Sequence, residues 1–210
     1  MSKTANLSAI IIDDHPLARM AIRNLLGNEG FNIVAEAGDG GEALMAVAEY
    51  QPDVVIVDVD IPVMSGIEVV EKLRKKQFSH IIIVVSVKND LFYGKRSADA
   101  GANAFISKKE GINNIISAIH AAQNGYSYFP FSLSGFVGSL SNEQAMLQSL
   151  SSQEVKVMRA ILNGADNMQI ASEMHISSKT VSTYKGRLME KLGCKSLVDL
   201  FSFANRNKIG

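Results

Sequence analysis

Short apolar runs alternate with amphipathic stretches through the first three-fifths of the chain. Leu7–Ile12, Asn32–Ala35, Val54–Val57, Ile81–Val85 and Ala104–Ile106 predict strands. Between them, apolar residues at helical spacing predict helices near Leu17–Leu26, Gly41–Tyr50, Gly66–Lys76, Asp90–Ala100 and Asn113–Gln123. Runs such as Ala9-Ile-Ile-Ile12 and Ile81-Ile-Ile-Val-Val85 are apolar at every position, which suits strands buried on both faces. Strict strand–helix alternation of this kind specifies a five-stranded parallel α/β sheet with helices on each side.

The texture changes at Gly125–Ser141, which is rich in Ser and Gly and holds Tyr126, Tyr128, Phe129, Phe131 and Phe136, with Pro130 interrupting any helix. So many aromatics suit a linker that packs partly on its neighbours. After Leu147 the pattern is helical only. Ser151-x-x-Glu154 is a capping-box signature ahead of Val155, Met158, Ile161 and Leu162. Gly164 can end that helix, and Ile170, Ala171 and Met174 mark a second. His175-Ile176-Ser177 makes a tight turn into a third helix carrying Val181, Tyr184 and Leu188, and Leu197–Asn205 forms a fourth. The expected domains are 1–124, a linker 125–146 and 147–210.

Composition narrows the class. At 47% hydrophobic the 210-residue chain is far from a disordered composition, and it has no uncharged apolar run long enough to span a membrane. Met1–Ser8 lacks the pattern of a secretory signal. A single cysteine, Cys194, precludes an intrachain disulfide and fits a cytoplasmic setting. The net charge is zero, but residues 1–140 hold 12 Lys+Arg against 15 Asp+Glu, and residues 141–210 hold 9 against 6. An acidic half thus precedes a basic half whose sign suits DNA.

In a parallel α/β sheet, functional groups collect beyond the carboxyl ends of the strands. Here strand one ends in Asp13-Asp14, strand three in Asp58, strand four in Ser86, and strand five in Ser107-Lys108. Converging carboxylates repel unless a hard cation such as Mg²⁺ joins them. The Lys108 ammonium and Ser86 hydroxyl are the donors that a phosphoryl group needs. Asp and Ser are common turn formers, so any one of these positions is unremarkable, but four strands ending this way point to metal-assisted phosphoryl transfer onto a carboxylate. Gly38-Asp39-Gly40-Gly41 does not complete a nucleotide-binding glycine motif and follows the second strand. His15, beside Pro16, suits a helix start better than a metal ligand.

Residues 7–123 resemble the receiver domain of bacterial two-component response regulators, a flavodoxin-like fold. The resemblance rests on Ile12-Asp-Asp-His-Pro16, Val57-Asp-Val-Asp-Ile-Pro62, Gly66, Ser86 and Lys108. The spacings match too: Asp58 stands four residues before Pro62 and eight before Gly66, and Ser86 stands 22 before Lys108. The resemblance implies that Asp58 accepts phosphoryl from a sensor histidine kinase or histidine phosphotransfer domain. It also implies that Asp13, Asp14, Asp58 and the Asp60 carbonyl hold Mg²⁺, and that Ser86 and Lys108 bind the phosphoryl oxygens. Phe105 is then the aromatic that turns inward on activation. Two departures are Lys109 where many receivers have proline, and Ser86 where threonine is commoner.

Helix, short turn and capped helix is the form of a helix-turn-helix. Along Ser178–Glu190, Val181, Tyr184 and Leu188 share the packing side. Lys179, Ser182, Thr183, Gly186 and Arg187 fall elsewhere, and Lys179, Lys185, Arg187 and Lys191 can reach phosphates. An ordinary solvated helix fits the same charges. Residues 148–210, however, resemble the four-helix DNA-binding domain of the NarL/LuxR class, through Leu150-Ser-Ser-Gln-Glu154, Gly164, Ile170-Ala171, Ile176-Ser177 and Lys179-Thr-Val181. Thr180-Val-Ser-Thr-Tyr-Lys185 resembles the EvgA/BvgA-type subgroup. DNA contacts from Lys179, Thr180, Ser182, Thr183, Lys185, Gly186, Arg187 and Lys191, and a homodimer formed through Leu197–Asn205, follow from that resemblance. The expected function is phosphorylation-dependent control of transcription by a protein that is not an enzyme. The alternatives are a DNA-binding regulator with a vestigial or ligand-sensing receiver, and a flavodoxin-like enzyme.

Overall fold

A computed structural model describes residues 7–88, 90–129 and 142–209, which form two compact units, one within residues 1–131 and one within 132–210. In the first, strands β1 (Ser8–Ile12), β2 (Asn32–Ala37), β3 (Val54–Asp58), β4 (Ile81–Ser86) and β5 (Ala104–Ser107) alternate with helices α1 (Pro16–Asn28), α2 (Gly40–Tyr50), α3 (Gly66–Lys75), α4 (Asp90–Asp99) and α5 (Asn114–Gln123). The sheet is wholly parallel in the order β2-β1-β3-β4-β5, so the expected doubly wound α/β architecture is present.

Side-chain alternation sorts the central strands onto two buried faces. Ala9, Ile11, Val54, Ile56, Ile83, Val85, Ala104 and Ile106 pack with Ile22 and Leu26 of α1 and Ile115, Ala118 and Ile119 of α5. The intervening residues Ile10, Ile12, Val55, Val57, Ile82, Val84 and Phe105 are also buried, on the opposite face. Strand β2 runs two residues beyond its expected end. Glu36 breaks the apolar pattern there because its carboxylate takes Arg19 and Arg23 from α1. The Gly38–Gly41 stretch starts α2: the Asp39 side chain accepts from the Gly41 and Glu42 amides at 2.7 and 2.9 Å.

The edge of β5 is covered by the segment that follows α5. The Phe105 amide donates to the Tyr128 carbonyl at 2.9 Å, and the Tyr128 amide donates to the Asn103 carbonyl at 3.1 Å. The aromatic stretch therefore begins as an extension of the first unit.

The second unit holds α6 (Asn142–Gln148), α7 (Ser152–Leu162), α8 (Asn167–Met174), α9 (Ser178–Lys191) and α10 (Leu197–Arg206). Helix α6 corrects the expected linker, which was to run to residue 146. Of its residues only Leu147 is buried, so a seven-residue helix with so little apolar periodicity did not announce itself. The four expected helices follow. Ser151/Glu154, Asp166/Gln169 and Ser196/Asp199 form reciprocal capping boxes, and the Ser177 hydroxyl caps α9. His175, with φ of 54°, closes α8 in the left-handed conformation and sets up the tight turn into α9. Val157, Met158, Ile170, Val181, Leu188 and Leu200 form the centre of this unit's core.

Candidate functional site

Asp13, Asp58 and Lys108 each lie two residues beyond a side chain on the α1/α5 face, namely Ile11, Ile56 and Ile106. The same alternation therefore brings all three together beyond the carboxyl end of the sheet. The Lys108 ammonium stands 2.6 Å from Asp13 Oδ2 and 2.9 Å from Asp58 Oδ1. Asp13 is fully buried and Asp58 is 4% exposed. The second oxygen of Asp13 accepts from the His15 amide at 2.9 Å, and that of Asp58 accepts from the Asp60 amide at 3.0 Å. Burial raises the Asp58 carboxyl above its ordinary range, against the opposing pull of Lys108. Burial would lower the Lys108 ammonium, but the Asp58 and Asp13 carboxylates outweigh it and hold the proton more firmly than usual.

Gly66 sets the back wall. A Cβ there would collide with the Asp58 carbonyl oxygen, so only glycine lets the start of α3 press against the Asp58 peptide. Ser65 and Glu68 cap this helix reciprocally. Asp14 is exposed, and its Oδ1 meets His15 Nδ1 at 2.5 Å. Asp13, Asp14 and His15 can each offer a ligand atom to one ion. Asp13 and Asp58 both converge on Lys108 Nζ, so their oxygens are within reach of one cation. The carboxylates of Asp13, Asp14 and Asp58 supply hard oxygen donors of the kind that fit Mg²⁺. Arg19 also reaches the site, with Nη1 donating to the Asp13 carbonyl at 2.5 Å. Sequence reading missed that contact, because a lone arginine one turn into α1 carries no motif.

Ser86 is buried, and its Oγ accepts from the Lys88 amide at 3.0 Å. Ser107 pairs with Ser86 across the β4–β5 ladder, and its buried hydroxyl has no hydrogen-bond partner among the described residues. Phe105, the expected switch aromatic, is buried on β5. Ala104 and Ile106 face α1 and α5, so the ring points to the opposite face, where α4 packs on β5, and it is 1% exposed.

On α9, Lys179, Ser182, Thr183, Gly186 and Arg187 form an exposed face, and Lys185 is half-buried beside it. Ser182 and Thr183 donate back to the Ser178 and Lys179 carbonyls at 3.0 and 3.1 Å, and Asn167 of α8 reaches Ser182 Oγ at 3.3 Å. Two expected contact residues are otherwise engaged. The Thr180 hydroxyl lies 2.8 Å from Ser177 Oγ within the helix cap. The Lys191 ammonium donates to Glu154 Oε2 at 2.7 Å and to the Ser149 carbonyl at 2.9 Å, because the buried Glu154 needs a cation. Lys191 thereby ties the end of α9 to the start of α7.

These two units are those of a response regulator. Residues 9–120 match the response regulator receiver domain family, and residues 148–204 match the luxR family of bacterial regulatory proteins. The chain is 65% identical to the DNA-binding transcriptional activator EvgA of Escherichia coli strain K12, over 97% of this chain and 100% of that one. It is 34% identical to BvgA of Bordetella pertussis, a putative positive transcription regulator of virulence factors, over 95% and 97%. The structure of Salmonella enterica serovar Typhimurium RcsB bound to promoter rprA with phosphomimetic BeF3⁻ superimposes with a TM-score of 0.80 at 25% identity, covering 95% of this chain and 99% of that one. The chain thus belongs to the NarL/LuxR class of response regulators. Within that class it is of the EvgA/BvgA type. Among the described residues, no helix is long and apolar enough to cross a membrane.

Proposed function

We propose that this protein is a cytoplasmic, phosphorylation-controlled transcription regulator with Asp58 as phosphoacceptor. The observation that carries the reading is the buried Asp13–Lys108–Asp58 arrangement, a carboxylate nucleophile beside a cation that can follow the incoming charge. An Asp58 carboxylate oxygen attacks the phosphorus of a phosphohistidine on a sensor kinase or phosphotransfer domain. The P–N bond breaks, and the imidazole leaves with the electron pair and takes up a proton. Asp13, Asp14, Asp58 and the Asp60 carbonyl would hold Mg²⁺, which shields the carboxylates from the approaching phosphoryl oxygens. Lys108 shifts its hydrogen bond from Asp58 to a phosphoryl oxygen, and Ser86 turns to donate to another.

The movement of Ser86 repacks the region around the buried Phe105 beneath α4, altering the surface of α4, β5 and α5. Binding to DNA then strengthens through Lys179, Ser182, Thr183, Lys185, Gly186 and Arg187 in the major groove, as a homodimer. Leu197, Val198 and Phe201, exposed on α10, suit the dimer contact. EvgA is named an activator and RcsB is bound to a promoter, in keeping with this assignment. The receiver is consumed as a stoichiometric switch and does not turn over, so the protein is not an enzyme.

The test is intact mass after incubation with acetyl phosphate, with and without Mg²⁺, beside Asp58→Asn. One added phosphate that needs Mg²⁺ and Asp58 supports the reading. If native protein gains no mass and also fails to bind beryllofluoride, the reading fails.

A further inference from the structure

Three loops meet around the phosphoacceptor, and two lysines bind them together. From the loop after β4, the Lys88 ammonium reaches across to Asp60 Oδ2 at 2.8 Å, in the loop after β3. From the turn after β5, Lys109 Nζ donates to the Lys88 carbonyl at 3.1 Å. The Lys88 amide donates to Ser86 Oγ. Lys88 is thus gripped at its amide, its carbonyl and its side-chain ammonium, by three residues from three segments. Its side chain is only 13% exposed although it carries a full charge.

The Ser86 hydroxyl accepts from the Lys88 amide where it stands. To donate to a phosphoryl oxygen on Asp58 its side chain would have to turn, and the bond from the Lys88 amide would survive that turn only if the amide moved with it. While Lys109 and Asp60 hold Lys88 in place, its amide stays aimed at Ser86 Oγ and the turned state is disfavoured. Lys109 takes this part through a side chain that a proline at the same position would lack.

We propose that Lys109 is a positioning residue for the phosphorylation switch: acting through Lys88, it latches Ser86 in the unphosphorylated position. This rests on the phosphorylation reading given above. The latch opposes activation, so its removal favours the phosphorylated state, whereas general loosening of the site would weaken phosphoryl binding. Lys109 is exposed and its substitution leaves the core intact.

The experiment measures the affinity of full-length protein for beryllofluoride in Mg²⁺ by ¹⁹F NMR, for native chain, Lys109→Met and Lys109→Arg. Lys109→Met is expected to bind about two- to tenfold more tightly, the range set by one ordinary hydrogen bond at an exposed position, and Lys109→Arg is expected to return to within about twofold of native. An unchanged or weaker affinity in Lys109→Met overturns the latch while leaving phosphorylation standing. Failure of arginine to restore the native value also overturns it, because the donor would then not be what matters. Absence of binding by the native chain overturns the phosphorylation reading and the latch with it.

Discussion

Glu154 and Lys191 stand 37 residues apart in the sequence and 2.7 Å apart in the structure, where they tie the start of α7 to the end of α9. Glu154 is 2% exposed and also serves the capping box with Ser151, so its charge answers two helices at once. Removing the cation leaves a buried carboxylate without its ion partner. Lys191→Met is expected to destabilise the helical unit by about 1–2 kcal/mol, below the full penalty of a buried pair because Lys191 itself is partly solvated. Urea unfolding followed by circular dichroism checks this, and a change within error would refute the role.

The same pair predicts a pH dependence. Burial raises the Glu154 carboxyl, but hydrogen bonds from Lys191 and Ser151 prevail and hold it below the ordinary value of 4.5. A carboxyl lowered on folding stabilises the protein above its unfolded value, and that contribution is lost as the pH falls. Acid unfolding of native protein is therefore expected to steepen below about pH 4.5, and Glu154→Gln to flatten the curve there while lowering stability at neutral pH.

Lys108 neutralises two buried carboxylates, so its loss should have opposite effects on the two ligands. Lys108→Met is expected to bind Mg²⁺ several-fold more tightly, because a competing positive charge has gone. Phosphorylation of that variant should nevertheless fail to strengthen DNA binding. Calorimetric Mg²⁺ titration and DNA binding by fluorescence anisotropy read the two effects separately, and weaker Mg²⁺ binding would contradict this account.

Gly66→Ala forces α3 away from the Asp58 peptide, and neither backbone can yield cheaply. The expected cost is about 2–4 kcal/mol of receiver stability, with phosphorylation from acetyl phosphate slowed in whatever fraction folds. A melting temperature equal to native would show that the wall is softer than its geometry.

Much of this was legible in the sequence. The central strands could be read because they are apolar on both faces, and Asp13, Asp58 and Lys108 could be brought together because they fall beyond the carboxyl ends of parallel strands. What could not be read depends on partners far along the chain. Arg19 on the Asp13 carbonyl, Lys191 on Glu154 and Lys109 on Lys88 are cations whose sequence neighbours do not show where they reach. Helix α6 was hidden because it buries one residue.

Ser107 offers a test of a different kind. Among the described residues its buried hydroxyl lacks a hydrogen-bond partner, so removing it relieves a desolvation cost and leaves a small void. Ser107→Ala is expected to leave stability within about 0.5 kcal/mol of native or to raise it. Chemical denaturation decides, and a loss above about 1.5 kcal/mol would mean that the hydroxyl does have a partner in solution.

For DNA, Lys179→Ala and Arg187→Ala are each expected to weaken binding across sequences and to reduce the salt slope by about one. Lys191→Arg keeps its tie to Glu154 and should leave the slope unchanged. Anisotropy titrations over a range of salt concentrations separate these outcomes.

The segment through Tyr128 gives β5 its outer neighbour. Without it, the Phe105 amide would face solvent on an apolar strand at the sheet margin, a template on which a strand from another chain can add. A receiver truncated after Asn124 would expose that margin, whereas one ending after Phe129 keeps it closed. The segment through Tyr128 is thus a guard against self-association through the sheet, and a receiver fragment should begin to aggregate at the point where the guard is cut away.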